Sequence, residues 1–421
     1  MSSLLLKNTF FLTLILLISC RNAPENGTFV KTNSANHTEL AMTAKASEPS
    51  IVVGANQTAR YFPMLAGKKV GVVTNQSGLI FTSDTHDKQQ SVHLVDSLQR
   101  ANINVIRVFS PEHGFRGNVD AGEQVKDGKD TKTGLPITSL YGKNKKPTQQ
   151  QLEGLDILVF DIQDVGVRFY TYISTLTYVM EAAAQKGIPV LVLDRPNPNA
   201  HYIDGPTLEP AHSSFLGMHP VPLVYGMTIG EYAKMVNGEQ WLDDGLRCDL
   251  TVIPLKHWNY NSKYSLPTRP SPNLPNDAAI NLYPSLGFFE GTTINAGRGT
   301  EMQFQIFGSS QLPSTQYPFA YTPKPNFGSK SPKENGVLCH GLDLRATPYL
   351  NKVDLNWLIN AYAAHSDKSS FFKTESFTLH AGNTTLETQI KSGTSFEVIR
   401  ESWQPQIAAF KQIRKKYLLY Q

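Results

Sequence analysis

Apolar residues are concentrated in five short runs that are rich in β-branched side chains. The runs are Lys69–Thr74, Asn104–Phe109, Asp156–Asp161, Ile188–Leu193 and Leu250–Pro254. Near-continuous apolar strands are typical of a parallel sheet that is covered on both faces. We therefore predict that these runs are neighbouring strands of one parallel sheet.

Several segments between the runs show the apolar spacing of amphipathic helices. We predict helices over Gln90–Gln99, Ile173–Gln185 and Thr228–Asn237. Thr228 is the expected N-cap of the third helix, and Glu231 stands at its capping-box position. The alternation of strands and helices predicts a doubly wound α/β domain over residues 51–265.

Prolines mark a change in the chain after residue 265, because four of them lie between Ser265 and Pro275. Such a density of proline breaks regular structure and indicates a domain boundary. We predict that residues 266–421 form a smaller α+β domain. Its expected elements are a helix over 276–289, a strand over 292–295, proline-rich loops through 335, a helix over 355–365 and a terminal helix over 404–417.

The N-terminal residues have the features of an export signal. Lys7 precedes an apolar run, Phe10–Ile18, that is short for a membrane span. The run ends in Leu17-Ile18-Ser19-Cys20, which is the pattern of a bacterial lipobox. We predict that residues 1–19 are a lipoprotein signal peptide and that Cys20 is lipidated. The alternative is an ordinary secretory signal followed by a chance cysteine.

Residues 20–50 are rich in Asn, Thr, Ser, Ala and Glu and show no apolar period, which is the composition of a flexible tether. The expected location is the bacterial cell envelope, on the periplasmic or the outer-membrane face. We expect membrane contact through the lipid anchor only, because no second apolar run approaches membrane length. Export would also permit Cys248 and Cys339 to pair.

Charge and missing motifs exclude several classes of protein. The net charge is +4 without a long basic run, so nucleic acid is not an expected partner, whereas an anionic cell-wall polymer is. No spacing suggests a zinc site, and neither a dinucleotide fingerprint, a Walker A loop, a Gly-x-Ser-x-Gly elbow nor a His-Glu-x-x-His motif occurs. We expect no metal and no cofactor.

Polar residues follow the predicted strands, at the sheet edge where open parallel sheets bind ligands. Asn75 follows the first strand, and Glu112, His113 and Gly114 follow the second. A glycoside hydrolase needs a carboxylic acid to protonate the leaving oxygen, and Glu112 is the leading candidate. Alternatively, Glu112 caps its loop through backbone N–H groups. Asn75 and His113 are candidates for substrate contact.

The third and fourth strands are followed by further candidates. Asp164, Arg168 and Tyr170 combine charge with an aromatic ring, as a sugar site requires, although an ion pair between the first two that braces the loop is equally consistent. Arg195 can bind a substrate carboxylate through two hydrogen bonds or can pair with Asp194.

The second domain contributes a charged loop. Glu290 stands at a predicted helix-to-strand junction, Asn295 follows the predicted strand, and Arg298 lies between two glycines. If this loop faces the first domain, Glu290 becomes the second carboxylate of a pair. A hinge with solvated charges is the alternative.

These motifs together resemble those of the peptidoglycan exo-β-N-acetylmuramidases. They are Val-Thr-Asn-Gln-Ser-Gly (73–78), Phe-Ser-Pro-Glu-His-Gly-Phe-Arg-Gly (109–117), Asp-Ile-Gln-Asp-Val-Gly-Val-Arg-Phe-Tyr-Thr-Tyr (161–172), Asp-Arg-Pro-Asn-Pro (194–198), Phe-Glu-Gly-Thr (289–292) and Gly-Arg-Gly-Thr (297–300). The resemblance covers essentially the whole chain after the tether.

The resemblance implies a Rossmann-like domain joined to a second domain, with the active site in the cleft between them. It implies release of N-acetylmuramic acid from the non-reducing end of β-1,4-linked peptidoglycan fragments, with MurNAc–GlcNAc saccharides as ligands. Glu112 becomes the catalytic acid, with Glu290 or Asp164 as the second carboxylate. The cleft would be lined by Asp164, Arg168, Tyr170, Arg195, Glu290 and Arg298.

An arginine in the cleft is expected to bind the lactyl carboxylate that distinguishes N-acetylmuramic acid from N-acetylglucosamine. Arg168, Arg195 and Arg298 are the candidates. A second hypothesis keeps the same cleft but makes the chain a non-catalytic, lipid-anchored muropeptide-binding or sugar-binding protein.

Overall fold

A seven-stranded sheet organises the computed structural model, which describes residues 49–83, 86–117 and 127–421. The strands are β1 (Val70–Thr74), β2 (Leu79–Phe81), β3 (Ser91–His93), β4 (Val105–Ser110), β5 (Gly128–Lys129), β6 (Pro136–Ser139), β7 (Ile157–Asp161), β8 (Val190–Leu193), β9 (Asp204–Thr207), β10 (Pro222–Val224), β11 (Leu250–Ile253), β12 (Ile306–Ser309), β13 (Phe319–Tyr321) and β14 (Cys339–Asp343). The helices are α1 (Thr58–Leu65), α2 (Leu94–Arg100), α3 (Tyr172–Lys186), α4 (Ile229–Gly238), α5 (Asp277–Leu286), α6 (Asn356–Ala364), α7 (Lys368–Phe371), α8 (Thr374–Ala381), α9 (Thr385–Lys391) and α10 (Phe396–Lys415). Short 3₁₀ helices cover Gly54–Asn56, Lys88–Gln90, Pro210–His212, Asp243–Gly245 and Gly287–Gly291.

The large sheet has the strand order β11-β8-β7-β1-β4-β6-β5. All neighbours in it are parallel except β5, which pairs with β6 in the antiparallel sense. The six parallel strands therefore follow the 3-2-1-4-5-6 order of a Rossmann-like sheet. The predicted α/β fold class is confirmed, and all five apolar runs are strands of this sheet.

Alternate side chains of the strands pack into two separate cores. In β7, Leu158 and Phe160 belong to the core that also contains α3 and α4, whereas Ile157 and Val159 belong to the core that contains α1 and α2. A strand that is buried on both faces has no solvent-facing side, because successive side chains point in opposite directions. This explains the near-continuous apolar runs in the sequence.

The predicted helices form, with changes at their ends. The capping box of α4 is present, because Thr228 accepts a hydrogen bond from the Glu231 backbone and the Glu231 side chain accepts one from Thr228. The helix expected from Gln90 begins only at Leu94, since the preceding residues form β3 and pair with β2. The apolar spacing predicted a helix at these residues, but they pair in the local β2–β3 hairpin instead.

The C-terminal half contains a three-stranded antiparallel sheet of order β12-β14-β13 and the helices α5–α10. This combination confirms the α+β prediction. The strand expected over 292–295 is wrong: Thr292 and Asn295 make only isolated bridges, to Phe372 and Gly308. Helix α10 begins before the predicted residue 404 and continues through Pro405. This proline is exposed, where the carbonyl group that loses its hydrogen-bond donor can reach water.

The C-terminus returns to the first half of the chain. Helix α10 packs against β9 and β10, and the Tyr420 hydroxyl donates to Asp194 and accepts from the Leu255 backbone. Residues 49–421 accordingly cluster as one compact unit. The division after residue 265 stays a prediction.

Two further features concern the cysteines and the helices. Cys248 and Cys339 are free and buried, and burial raises the pKa of both thiols to about 12. Within the described residues, no helix is both long and apolar enough to span a bilayer. The predicted signal peptide, Cys20 and the tether up to residue 48 lie outside the described residues.

Candidate active site

A cavity of about 870 Å³ opens beside the carboxyl ends of β4, β6 and β7. We call it the central cavity. It is lined by Glu112, His113, Tyr141, Gly142, Lys145, Phe169, Tyr170, Thr171, Ser214, Phe215, Leu216, Ser271, Tyr283, Glu290, Arg298, Gly328, Ser329, Lys330, Ser331, Leu379 and His380. Of the predicted site residues, the structure brings together here Glu112, His113, Tyr170, Glu290 and Arg298.

Glu112 enters the cavity directly after β4 and is half-buried. The Thr171 hydroxyl lies 3.4 Å from its carboxylate, and the Tyr141 hydroxyl also hydrogen-bonds to it. Burial, followed by the charge of Glu112, raises the pKa of Tyr141 well above its ordinary value. These two hydroxyl partners are neutral, and they hold the Glu112 carboxyl group in place.

His113 adopts an unusual backbone conformation beside Glu112. Its φ angle is 72° and that of Gly114 is 78°, so two successive residues lie in the left-handed region. This region is uncommon for residues other than glycine and is concentrated at functional sites. This tight turn changes the direction of the chain after β4, and the Glu112 side chain lines the cavity.

Glu290 has a different electrostatic environment. Its carboxylate is 3.1 Å from the Arg298 guanidinium, and the side chains of both residues are about a quarter exposed, 23% and 24% respectively. Burial alone would raise the pKa of Glu290, but the charges of Arg298 and Lys333 outweigh burial and lower it to about 2. Glu290 is therefore ionised throughout the physiological range.

Lys333 holds the loop that carries Glu290. Its ammonium group donates to the backbone carbonyl groups of Phe289 (2.7 Å), Glu290 (3.1 Å), Thr292 (2.7 Å) and Ile294 (3.3 Å). Four carbonyl acceptors satisfy the ammonium group without neutralising its charge. That charge therefore remains able to act on Glu290.

Aromatic rings form one wall of the central cavity. Tyr170 donates to the Pro270 carbonyl at 2.7 Å, and Tyr283 packs edge-on against Phe169 with ring centroids 5.1 Å apart. Arg298 lies 5.1 Å from the centroid of the Phe304 ring. Rigid rings beside charged groups suit the apolar faces and hydroxyl groups of a sugar.

His380, which the sequence analysis missed, also lines the cavity. Its Nδ1 lies 2.7 Å from the Ser376 carbonyl oxygen, so Nδ1 carries the proton and Nε2 is an acceptor when the ring is neutral. Burial lowers the pKa of His380, which favours the neutral ring. His380 lies in α8 and is not part of a recognisable sequence motif. Only its position in the fold identifies it as a residue of the cavity.

Arg168 does not line the cavity, contrary to expectation. It is fully buried and donates to the backbone carbonyl groups of Pro206 (2.7 Å), Val221 (3.0 Å), His380 (3.1 Å) and Ala381 (2.7 Å). It also makes no ion pair with Asp164. Arg168 instead connects the loop after β7 to the end of α8, which carries His380.

Arg195 is likewise buried beneath the surface. It binds Asp161 through two hydrogen bonds of 2.6 and 2.9 Å and donates to the Leu79 carbonyl at 3.0 Å. Its partner is thus Asp161 at the end of β7, and not Asp194 as the sequence suggested. Because these groups are mutually satisfied, a substrate carboxylate gains nothing by reaching Arg195.

Asp164 lies behind the aromatic wall. Its carboxyl group accepts hydrogen bonds from the Tyr225 hydroxyl and from the Gly166 backbone, the latter at 2.7 Å. Burial raises its pKa to about 6, against the effect of these hydrogen bonds. The structure therefore leaves Glu290 as the second carboxyl group at the cavity surface.

The two predicted asparagines support the site from behind. Asn75 donates to the Tyr172 hydroxyl at 2.8 Å, and that hydroxyl lies 3.4 Å from the Glu112 carbonyl oxygen. Asn295 accepts from the Gly297 backbone at 2.6 Å and donates to the Arg298 carbonyl at 3.0 Å, which shapes the loop of Arg298. Both asparagines are buried and do not line the cavity.

The described residues contain no group of three or more His, Cys, Asp or Glu side chains that could hold a metal ion. The side chains that line the cavity include carboxyl, guanidinium and imidazole groups. Two carboxyl groups in different environments are the arrangement that acid–base cleavage of a glycosidic bond requires.

Replacing Arg168 with methionine is expected to lower the free energy of unfolding by about 3 kcal/mol or more, because four buried carbonyl groups lose their donor. Urea unfolding measures this effect. Arg345→Met is the control, since Arg345 pairs with Asp343 at the surface and its loss should change the free energy of unfolding little. Equal losses in the two variants would contradict the assignment of Arg168 as a buried connection.

The ion pair of Glu290 predicts a pH dependence of stability. The pKa of Glu290 in the folded state lies below its ordinary value of 4.5, so the pair stabilises the protein above pH 4.5, and this stabilisation is lost as the pH falls towards 2. The difference in unfolding free energy between the wild type and Glu290→Gln should shrink by about 1–3 kcal/mol over that interval. In an Arg298→Met background the change should be much smaller. A constant difference between pH 5 and pH 2 would count against the pair.

Comparison with known proteins confirms the resemblance noted in the sequence. Residues 70–278 match the N-terminal part, and residues 281–420 the C-terminal part, of the family described as exo-β-N-acetylmuramidase NamZ. The chain is 40% identical over 394 residues to the peptidoglycan β-N-acetylmuramidase NamZ of Bacillus subtilis (strain 168), covering 89% of this chain and 92% of the relative.

Two crystal structures of DUF1343-family proteins from Bacteroides fragilis NCTC 9343 have the same fold. One is 41% identical, with a TM-score of 0.80, and the match covers 88% of this chain and 99% of the other. The second is 29% identical, with a TM-score of 0.75, and the match covers 89% and 100%. The motifs, the strand order and these matches agree, and the chain belongs to the exo-β-N-acetylmuramidase NamZ family.

Proposed function

We propose that this protein is a glycoside hydrolase that releases N-acetylmuramic acid from the non-reducing end of peptidoglycan fragments during cell-wall turnover and recycling. Membership in the NamZ family supports the substrate class. The observation that carries the assignment to the central cavity is the presence there of two glutamates with different hydrogen-bond partners. Glu112 has hydroxyl partners, whereas Glu290 has two cations.

Glu112 is the proton donor in this proposal. Cleavage requires a carboxylic acid that protonates the glycosidic oxygen as the bond breaks. The hydroxyl groups of Thr171 and Tyr141 orient the Glu112 carboxyl group. Its position after β4, on the strained turn at His113, supports a fixed geometry for proton transfer.

Glu290 is the anionic partner. The transition state of glycoside cleavage resembles an oxocarbenium ion, whose positive charge a carboxylate stabilises. Because Arg298 and Lys333 keep Glu290 ionised, it requires no change of protonation state before the reaction. His380, with Nε2 available as an acceptor, can receive a hydrogen bond from a substrate hydroxyl group.

The roles of the two glutamates predict a dependence on the leaving group. Glu112→Gln should lower kcat/KM for the MurNAc–GlcNAc disaccharide by about 10³-fold, since a sugar leaving group needs protonation. The same variant should lose far less with the p-nitrophenyl glycoside, because p-nitrophenolate leaves readily without a proton. Glu290→Gln should impair both substrates. Steady-state assays on the two substrates measure this difference.

Glu301→Gln is the matched control, because Glu301 is exposed and outside the lining of the cavity. It should retain full activity on both substrates. Calorimetry with Glu112→Gln should still detect binding of the disaccharide. If the wild type binds the disaccharide but hydrolyses neither substrate, the chain is a sugar-binding protein and the proposal is wrong.

We also propose that the chain is exported and anchored to the cell envelope through a lipid on Cys20. The lipobox Leu17-Ile18-Ser19-Cys20 supports this, together with the polar composition of the residues that follow. A lipid anchor would hold the enzyme at the membrane next to its polymeric substrate.

Cys20→Ala should move the protein from the membrane fraction to the soluble periplasmic or culture fraction. Metabolic labelling with a fatty acid should mark the wild type and not the variant. Export of an unlabelled wild-type protein would instead indicate an ordinary secretory signal.

A further inference from the structure

N-acetylmuramic acid brings a negative charge into a cavity that already contains two glutamates. Its lactyl carboxylate therefore needs a cation that is not committed to another group, because an uncompensated buried charge is costly. This requirement rests on the proposed function. We therefore compare the cations that line the central cavity as possible partners of the lactyl carboxylate.

The three arginines considered from the sequence are poor candidates. Arg168 is surrounded by carbonyl groups, Arg195 is paired with Asp161, and Arg298 is paired with Glu290. Two lysines line the central cavity, Lys145 and Lys330. Lys330 is exposed, and ion pairs in full contact with water contribute little.

Lys145 is half-buried and already oriented. Its ammonium group lies 4.8 Å from the centroid of the Phe215 ring, and the other neighbour of that ring is Tyr178, stacked at a centroid distance of 6.0 Å and an interplanar angle of 11°. Among the residues that the structure describes, no carboxylate pairs with Lys145. An aromatic ring holds a cation in position without neutralising it, so the charge can still bind an anion.

The two segments that carry this pair are braced. Ser214 and Gly217 exchange backbone hydrogen bonds of 2.8 and 3.0 Å, which places Phe215 at the tip of a tight turn. A side chain at position 217 would approach the stem of Arg168 to 3.0 Å, so the turn packs closely on the buried arginine. On the other segment, Lys146 pairs with Glu181 of α3 at 3.1 Å.

The same loop connects Lys145 to the catalytic acid. Tyr141, four positions earlier in the sequence, hydrogen-bonds to Glu112. A cation on this loop is therefore well placed to bind a group on the sugar whose glycosidic oxygen Glu112 protonates.

We propose that Lys145 binds the lactyl carboxylate of N-acetylmuramic acid and that Phe215 positions its ammonium group, so that this pair selects muramic acid over glucosamine. Lys145 contacts the substrate, whereas Phe215 acts through Lys145. Neutralising the lactyl group, as an amide-linked peptide does, removes the interaction.

The test compares the wild type and Lys145→Met on two substrates. The substrates are the p-nitrophenyl β-glycoside of N-acetylmuramic acid and its lactyl methyl ester, which has nearly the same shape but no charge. With the full wild-type chain, kcat/KM should be about 10- to 100-fold higher for the acid than for the ester, as expected for a hydrogen bond to a charged group. Lys145→Met should lose this preference by losing activity on the acid alone.

Three variants serve as comparisons. Lys143→Met, on the same loop but outside the lining of the cavity, should keep the wild-type preference. Lys330→Met should keep it as well. Phe215→Leu should reduce it partly, through a higher KM for the acid, with activity on the ester maintained. Equal urea midpoints for Lys145→Met and the wild type verify that the fold is intact.

The outcomes separate this inference from the proposed function. If the wild type hydrolyses the acid but Lys145→Met still prefers it over the ester, the inference is wrong and the proposed function stands. Loss of the preference in Lys330→Met alone would assign the carboxylate to Lys330 and also overturn it. If the wild type hydrolyses neither substrate and no muramic disaccharide, the proposed function and this inference both fail.

Discussion

Hydrogen bonds from a buried arginine and a half-buried lysine to backbone carbonyl groups support the central cavity. Arg168 joins the loop after β7 to the segments at Pro206 and Val221 and to the end of α8, and Lys333 closes the loop of Glu290 in the same way. A carbonyl group supplies a dipole and no net charge, so these cations are solvated by the protein and remain positive. Removing either one would leave several acceptors without donors at once.

The positive charges that remain determine the protonation state of Glu290 in the central cavity. Glu290 lies near Arg298 and Lys333, and its carboxyl group is held in the ionised form. Glu112 hydrogen-bonds to the hydroxyl groups of Thr171 and Tyr141, which follow β7 and β6. Two chemically identical side chains in one cavity therefore have different hydrogen-bond partners.

The sequence predicted backbone positions better than side-chain directions. The five apolar strands and the capping box at Thr228 were predicted correctly because their patterns are local. Strand β6 was missed, since Pro136–Ser139 lacks a long apolar run, and with it the loop that carries Tyr141. Arg168 and Arg195 do follow strand ends as expected, yet their side chains turn inward. Their hydrogen-bond partners come from distant segments of the chain, which a local sequence motif cannot identify.

The Asp161–Arg195 pair has a consequence for how this architecture is interpreted. In sheets with this strand order, a dinucleotide usually occupies the crevice where the order reverses, which here lies between β1 and β7. Arg195 spans that crevice, from Asp161 at the end of β7 to Leu79 after β1. An internal salt bridge therefore lies where other members of the architecture bind the pyrophosphate of a nucleotide, and the central cavity opens instead beside the ends of β4, β6 and β7. Strand order by itself would group this enzyme with dehydrogenases, whereas the side chains that fill the crevice separate it from them.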